Sequence, residues 1–152
     1  MSETSSGSPS GDSALAERLA VLGRALGERE ADHGAAMAEA RRCAEAVHAE
    51  VGRALEAFHR AAREAGADHL EVQLSPLRID DKHLRAVQFD LSRGRHRAIV
   101  TAKSRGDLTL VGPFRGGHTE GPCKSFPFDA QDEIRRALAE FLESFLEAAA
   151  TP

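Results

Sequence analysis

The chain contains no tryptophan and no tyrosine, and seven phenylalanines are its only benzene-ring side chains. Its two cysteines, Cys43 and Cys123, are too few for a disulfide framework. No stretch approaches the roughly 18 consecutive apolar residues that a membrane-spanning helix needs. We therefore expect a cytoplasmic protein with reduced thiols and no membrane contact.

The N-terminal residues 1–13 are rich in serine and glycine and contain no apolar run. A secretory leader needs a basic start and an apolar core, so this segment predicts a disordered tail and not a signal peptide. The rest of the 152 residues is close to the usual size of one domain.

From about Ala14 to Ala65 the chain is rich in alanine, lacks proline and repeats apolar residues every three or four positions. This period is typical of a coiled-coil-like helix, which we place at residues 14–66 as an oligomerisation segment. The residues assigned to a dimer contact are Leu15, Leu19, Leu22, Leu26, Val47, Val51, Leu55 and Phe58.

A helix of this length extends roughly 75 Å, more than the remaining chain can cover. Much of its apolar stripe must therefore meet another helix, either in a second copy or by folding back on itself. Gly27, Gly34 and the polar residues between them make a bend near residues 27–34 one alternative. The absence of proline and of a turn dipeptide favours the other, a continuous helix in a homodimer.

The second half of the chain changes to strand patterns. Apolar residues alternate at 70–74, 87–91, 98–102 and 108–110, and short polar segments containing Gly94 and Gly106 separate the later runs. Such turns predict an antiparallel meander of three or four strands.

A last apolar stripe predicts a C-terminal amphipathic helix, and its members are Ile134, Leu138, Phe141, Leu142 and Phe145. Because the chain has few aromatic residues, this helix supplies much of the bulk for a core and should pack on one face of the sheet. The predicted fold class is α+β, with the sheet and C-terminal helix in residues 67–150.

Charge is unevenly distributed along a chain whose formal net charge is -4. Residues 76–126 carry ten Lys or Arg against five Asp or Glu. The candidate anion-binding residues are Arg93, Arg95, His96, Arg97, Lys103 and Arg105. Phosphate contacts through them would be sensitive to salt. The acidic net charge and the lack of an aromatic beside the arginines argue against a single-strand nucleic-acid reader.

The segment 112–125 is rich in glycine and collects several reactive side chain types. Its candidate ligand-binding residues are Arg115, His118, Glu120, Cys123 and Lys124. A phosphate-binding P-loop is disfavoured because Pro122 stands where its lysine should follow Gly121. A closed zinc site lacks a fourth ligand, and a thiolate nucleophile lacks an orienting group. The plainer interpretation is a connector anchored by phenylalanines, so we expect no metal, no cofactor and no catalytic residue.

Three functions follow from these patterns, in order. The first is a non-enzymatic homodimeric adaptor that is assembled through the long helix and presents its sheet and glycine-rich loop to a protein partner. The second is a binder of nucleic acid or another polyanion through the basic hairpins. An enzyme or metal site in the 112–125 loop is third.

Overall fold

A computed structural model describes residues 11–82, 85–117 and 121–150. Its elements in chain order are α1 Gly11–Glu64, β1 Gln73–Leu74, β2 Arg78–Asp80, β3 Ala86–Arg93, β4 His96–Lys103, β5 Asp107–Arg115, β6 Cys123–Pro127 and α2 Gln131–Ala150. The predicted α+β order of long helix, antiparallel sheet and C-terminal helix is confirmed. Of the tail expected at residues 1–13, residues 1–10 lie outside the described residues, whereas residues 11–13 belong to α1, which begins at Gly11.

The long helix α1 continues through residues 27–34, so the turn that a helical hairpin would require is not formed there. Alanine-rich sequence without proline sustains the backbone hydrogen bonds through both glycines. The chain divides into two compact units between Ala35 and Ala36. We call them the N-terminal unit, described from residue 11 to 35, and the sheet unit, which contains everything after it.

The six strands form one antiparallel sheet in the order β1-β3-β4-β5-β6, and β2 also pairs with β3. Gly94 and Gly106 have φ angles of +59° and +104° in the two turns that join β3 to β4 and β4 to β5. Glycine adopts this left-handed region without a steric penalty, so the sequence places these turns well. The predicted antiparallel meander is confirmed, and the sheet has six strands where three or four were expected.

The sequence patterns miss two strands, the short β2 and also β6, which pairs with β5 from Asp107↔Pro127 to Val111↔Cys123. β6 lies at an edge of the sheet, and four of its five residues are exposed. An edge strand of this kind carries little hydrophobic alternation. Part of the presumed 112–125 connector is therefore a β-hairpin.

One face of the sheet forms the core of the sheet unit together with α2 and the part of α1 that follows Ala35. The buried strand residues alternate, and include Val87, Phe89, Leu91, Ala98, Val100, Ala102, Leu108 and Leu110. From α2 they meet Ile134, Leu138, Phe141 and Phe145, and from α1 they meet Ala40, Ala44, Val47, Val51 and Leu55.

Two histidines in this part of α1 form hydrogen bonds with the backbone near the edge of the sheet. His48 Nε2 donates to the carbonyl oxygen of Ser75 at 2.8 Å, and its ring meets that of Phe89 edge-on at 4.9 Å. The amide of Val72 donates to Nε2 of His59 at 3.0 Å. The helix therefore contributes both apolar and polar contacts to the sheet unit.

Candidate functional site

The N-terminal unit exposes an apolar stripe. Leu15, Leu19, Leu22 and Leu26 are 56%, 55%, 50% and 46% exposed. Their 4-3-4 spacing keeps the four side chains within about 60° around the helix axis. We call these four residues the leucine stripe. Clustered apolar side chains on a helix face are typical of a surface that another element covers.

The other residues that the sequence assigned to dimerisation lie elsewhere. Val47, Val51 and Leu55 are 8%, 0% and 4% exposed, and they pack in the core of their own sheet unit. Phe58 is half-buried, with its ring 5.8 Å from that of His59. The heptad pattern does not distinguish an apolar stripe that meets a sheet from one that meets a helix. Val47, Val51 and Leu55 contact the core of their own chain.

The predicted anion-binding residues fall at three places in the sheet unit. Arg97 donates to one carboxylate oxygen of Asp90 at 2.7 Å, and Arg78 donates to the other at 2.6 Å. The Asp90 side chain is only 10% exposed, whereas both arginines are almost half exposed. This cluster lies on the sheet face opposite the helices, because Asp90 alternates with Phe89 and Leu91. Arg97 thus has a carboxylate partner already.

Lys103 and Arg105 lie at the β4–β5 turn, at the far end of the sheet from the β3–β4 turn. Eight residues of β4 separate the two turns, which corresponds to roughly 25 Å. Arg105 is paired with Asp107 at 3.0 Å, and this hydrogen bond together with the carboxylate charge raises the pKa of the guanidinium. The two turns therefore do not form one basic surface within a sheet unit.

The remaining three candidates, Arg93, Arg95 and His96, line an open groove at the β3–β4 turn with a volume of about 780 Å³. Arg115, predicted as a loop residue, joins them because its Cα is the cross-strand partner of His96. His69, Glu71, Gln73, Gly94 and Ala149 complete the lining. We call this cavity the basic groove.

Arg93 lines one wall of the basic groove, where two backbone carbonyl oxygens hold its side chain. Its guanidinium donates to the carbonyl oxygen of Ala149 in the last turn of α2, and to the carbonyl oxygen of His69 at 3.2 Å. Cations are favoured at the C-terminal end of a helix, where carbonyl groups lack helical partners. Both acceptors are neutral, so the positive charge of Arg93 remains in the groove.

The loop candidates do not assemble into one described site. His118 and Glu120 lie outside the described residues. Cys123 and Lys124 are exposed on β6. Lys124 lines a smaller cavity of about 170 Å³, together with Pro113, Glu140, Phe141 and Ser144 among others. Within the described ranges, no three His, Cys, Asp or Glu side chains are grouped so that they could hold a metal ion.

The two thiols differ in their surroundings. Cys43 is half-buried on α1, and burial, followed by the negative charge of Glu39, raises its pKa. Cys123 is exposed on the edge strand. Because thiolates are the reactive form, we expect iodoacetamide to modify Cys123 in the folded protein well before Cys43.

Mass spectrometry of a labelling time course measures this difference, with urea-unfolded protein as the control in which both cysteines react. Labelling of Cys43 should accelerate as the pH rises toward its raised pKa. Since the fold favours the neutral thiol, the contribution of Cys43 to the free energy of unfolding is constant in neutral solution and declines in alkaline solution. Equal labelling rates in the folded state would contradict the burial of Cys43.

The part of the chain that the structure describes contains no helix with the length and apolar content to cross a bilayer. Comparisons with protein-family models, with curated proteins and with solved structures find no match to this chain. The leucine stripe and the basic groove are therefore the two candidate functional surfaces of the described residues.

Proposed function

We propose that the protein is a non-enzymatic homodimeric interaction protein, and that its N-terminal unit pairs with the N-terminal unit of a second copy. The observation that carries this proposal is the leucine stripe, whose four side chains are about half exposed. Heptad spacing of leucine is the pattern by which helices bury a shared seam. A stripe that pairs with itself forms an isologous contact, the commonest kind in homodimers.

The energetics favour a dimer of moderate affinity. Full burial of a leucine side chain contributes roughly 1.5–3 kcal/mol, and half of that area is available here. Eight leucines from two copies would then contribute on the order of 6–12 kcal/mol. Association costs an estimated 4–15 kcal/mol in lost freedom of motion, so little surplus remains from the leucines alone. We therefore expect a concentration-dependent equilibrium.

The polar residue that follows the stripe indicates the orientation of the helices. Continuing the heptad from Leu26 places Arg29 at the next seam position. A parallel pair would bring the two Arg29 side chains of the dimer against each other, which is unfavourable for like charges. An antiparallel pair layers Leu15 against Leu26 and Leu19 against Leu22 of the second copy. We propose the antiparallel arrangement.

The sheet unit would present the partner surface of this adaptor. β6 is an edge strand, so one row of its backbone N–H and C=O groups has no neighbouring strand among the described elements. Exposed edges of this kind accept an added strand from a protein partner. The exposure of Cys123, Lys124 and Ser125 supports the same surface.

The experiment that tests self-association replaces Leu19 and Leu22 together by glutamate. Four carboxylates in the centre of the seam would be desolvated and would repel one another, so the double variant should be monomeric in multi-angle light scattering at concentrations where the natural chain is a dimer. Val21→Glu is the matched control: Val21 is 59% exposed, but it lies about 130° around the helix from the stripe. The control should retain the dimer mass. Dimers of the double variant would contradict the proposal.

A further inference from the structure

The basic groove contains a row of basic side chains on successive strands, formed by Arg93, His96 and Arg115. Arg93 is the cross-strand partner of His96, and His96 is that of Arg115. Side chains at directly opposed positions share a face, with Cβ atoms about 5 Å apart. The row lies on the helix side of the sheet, where Arg93 reaches the last turn of α2. Arg95 follows in the turn, and its carbonyl oxygen accepts a hydrogen bond from the amide of Gly116.

These charges lack the anionic partners that other arginines of the sheet unit have. Arg78 and Arg97 share Asp90, and Arg105 binds Asp107. By contrast, within the described residues neither Arg95 nor Arg115 has a carboxylate within ion-pair distance. Arg93 and Arg115 lie two strand spacings apart, roughly 10 Å, on either side of His96, so an anion bound between them would interact with both charges. The arrangement therefore has the electrostatic character of an anion site.

The size and the lining of the groove favour a small anion over a polyanion. A volume of about 780 Å³ is within the usual range for small-molecule sites. The lining includes Glu71 and Gln73, whose oxygens can accept hydrogen bonds from hydroxyl groups, but no phenylalanine on which a nucleobase could stack. The formal net charge of -4 also disfavours long-range attraction of a polyanion.

We propose that the basic groove binds the phosphate group of a small hydroxylated phosphate ester. Arg95 and Arg115 are exposed and hold the phosphate through the forked guanidinium geometry that suits its oxygens. His96 lies between Arg93 and Arg115 in the row and adds a donor. Arg93, fixed by the carbonyl oxygens of His69 and Ala149, contributes its charge from the wall. Glu71 and Gln73 face the hydroxylated part of the ligand.

The test is isothermal titration calorimetry of the full chain with glycerol phosphate, with inorganic phosphate, and with a short DNA duplex in a third titration. Glycerol phosphate should bind more tightly than inorganic phosphate. The Arg95→Gln/Arg115→Gln double variant should weaken this binding by about a hundredfold, because both charge-assisted contacts to the phosphate are lost. Both side chains are exposed, so circular dichroism should show an unchanged fold.

Arg53→Gln/Arg136→Gln is the matched control, because it removes the same charge from two exposed helix positions that do not line the groove. Its affinity for glycerol phosphate should equal that of the natural chain. Absence of glycerol phosphate binding, or equal affinity in the groove double variant, would overturn the proposal. Binding of the DNA duplex without glycerol phosphate would also overturn it, and would assign the groove to a nucleic-acid backbone.

Discussion

Val51→Asp is expected to lower the free energy of unfolding of the sheet unit by roughly 4 kcal/mol or more. Val51 is 0% exposed and packs among the buried strand and helix residues of its own chain. A carboxylate there would be desolvated without a cationic partner, which costs several kcal/mol. Small domains are stable by only about 5–15 kcal/mol, so this loss should move the unfolding midpoint to a much lower urea concentration. Circular dichroism and urea unfolding measure this loss.

Two controls separate core burial from a dimer contact at this position. Val51→Ala should fold with a free energy of unfolding lower by about 2 kcal/mol, because it only removes buried methyl groups. Val21→Asp, on the exposed part of α1, should leave the unfolding midpoint nearly unchanged. A Val51→Asp protein that keeps its free energy of unfolding and merely becomes monomeric would show that Val51 belongs to an interface between copies.

Gly112→Ala should destabilise the sheet unit by about 3 kcal/mol. Gly112 is buried in β5 with a φ of +126°, a conformation that costs other residues on the order of 1–3 kcal/mol. A Cβ atom there would lie 3.0 Å from both Cα and Cβ of Ala98, and 3.1 Å from the carbonyl oxygen of Arg97. These are mostly backbone atoms of the neighbouring strand, at its register shift, so they cannot move aside without disturbing the β4–β5 pairing.

Gly116→Ala is the matched control for this substitution. A Cβ at Gly116 would lie 3.6 Å from the carbonyl oxygen of Arg95, an ordinary contact. Urea unfolding of both variants, followed by circular dichroism, should give a large loss for Gly112→Ala and a change within about 0.5 kcal/mol for Gly116→Ala. Equal stabilities would contradict the close approach of β5 and β4.

Local periodicity predicts the two helices and two of the hairpins correctly, because each of these elements is determined by nearby residues. Alanine-rich heptads without proline gave α1, the spacing from Ile134 to Phe145 gave α2, and glycine turns between alternating residues gave the β3–β4 and β4–β5 hairpins. The four leucines of the stripe were identified as one face of a helix, and that face is exposed in the N-terminal unit. Each of these signals is contained within a few consecutive turns or strands.

Contacts between residues that are distant along the chain could not be predicted from the sequence patterns. The stripe from Val47 to Leu55 has the same period as the leucine stripe, yet it covers the sheet of its own chain. Arg93 and Arg97 are close in sequence but lie on opposite faces, because Arg97 is the cross-strand partner of Ser92, which alternates with Arg93 along β3. Arg115 joins His96 only through the β4–β5 register, which includes an irregularity between Arg97 and Ile99. The composition of the basic groove therefore required the three-dimensional pairing.

The pairing of the two N-terminal units is tested most directly by sedimentation equilibrium of the full chain over a wide range of concentrations. We expect the average mass to rise from the 16.3 kDa of one chain toward twice that value as the concentration increases. The same curve, fitted as a monomer–dimer equilibrium, gives the affinity of the leucine stripe. A mass of 16.3 kDa at every concentration would contradict the homodimer and leave the leucine stripe without its proposed occupant.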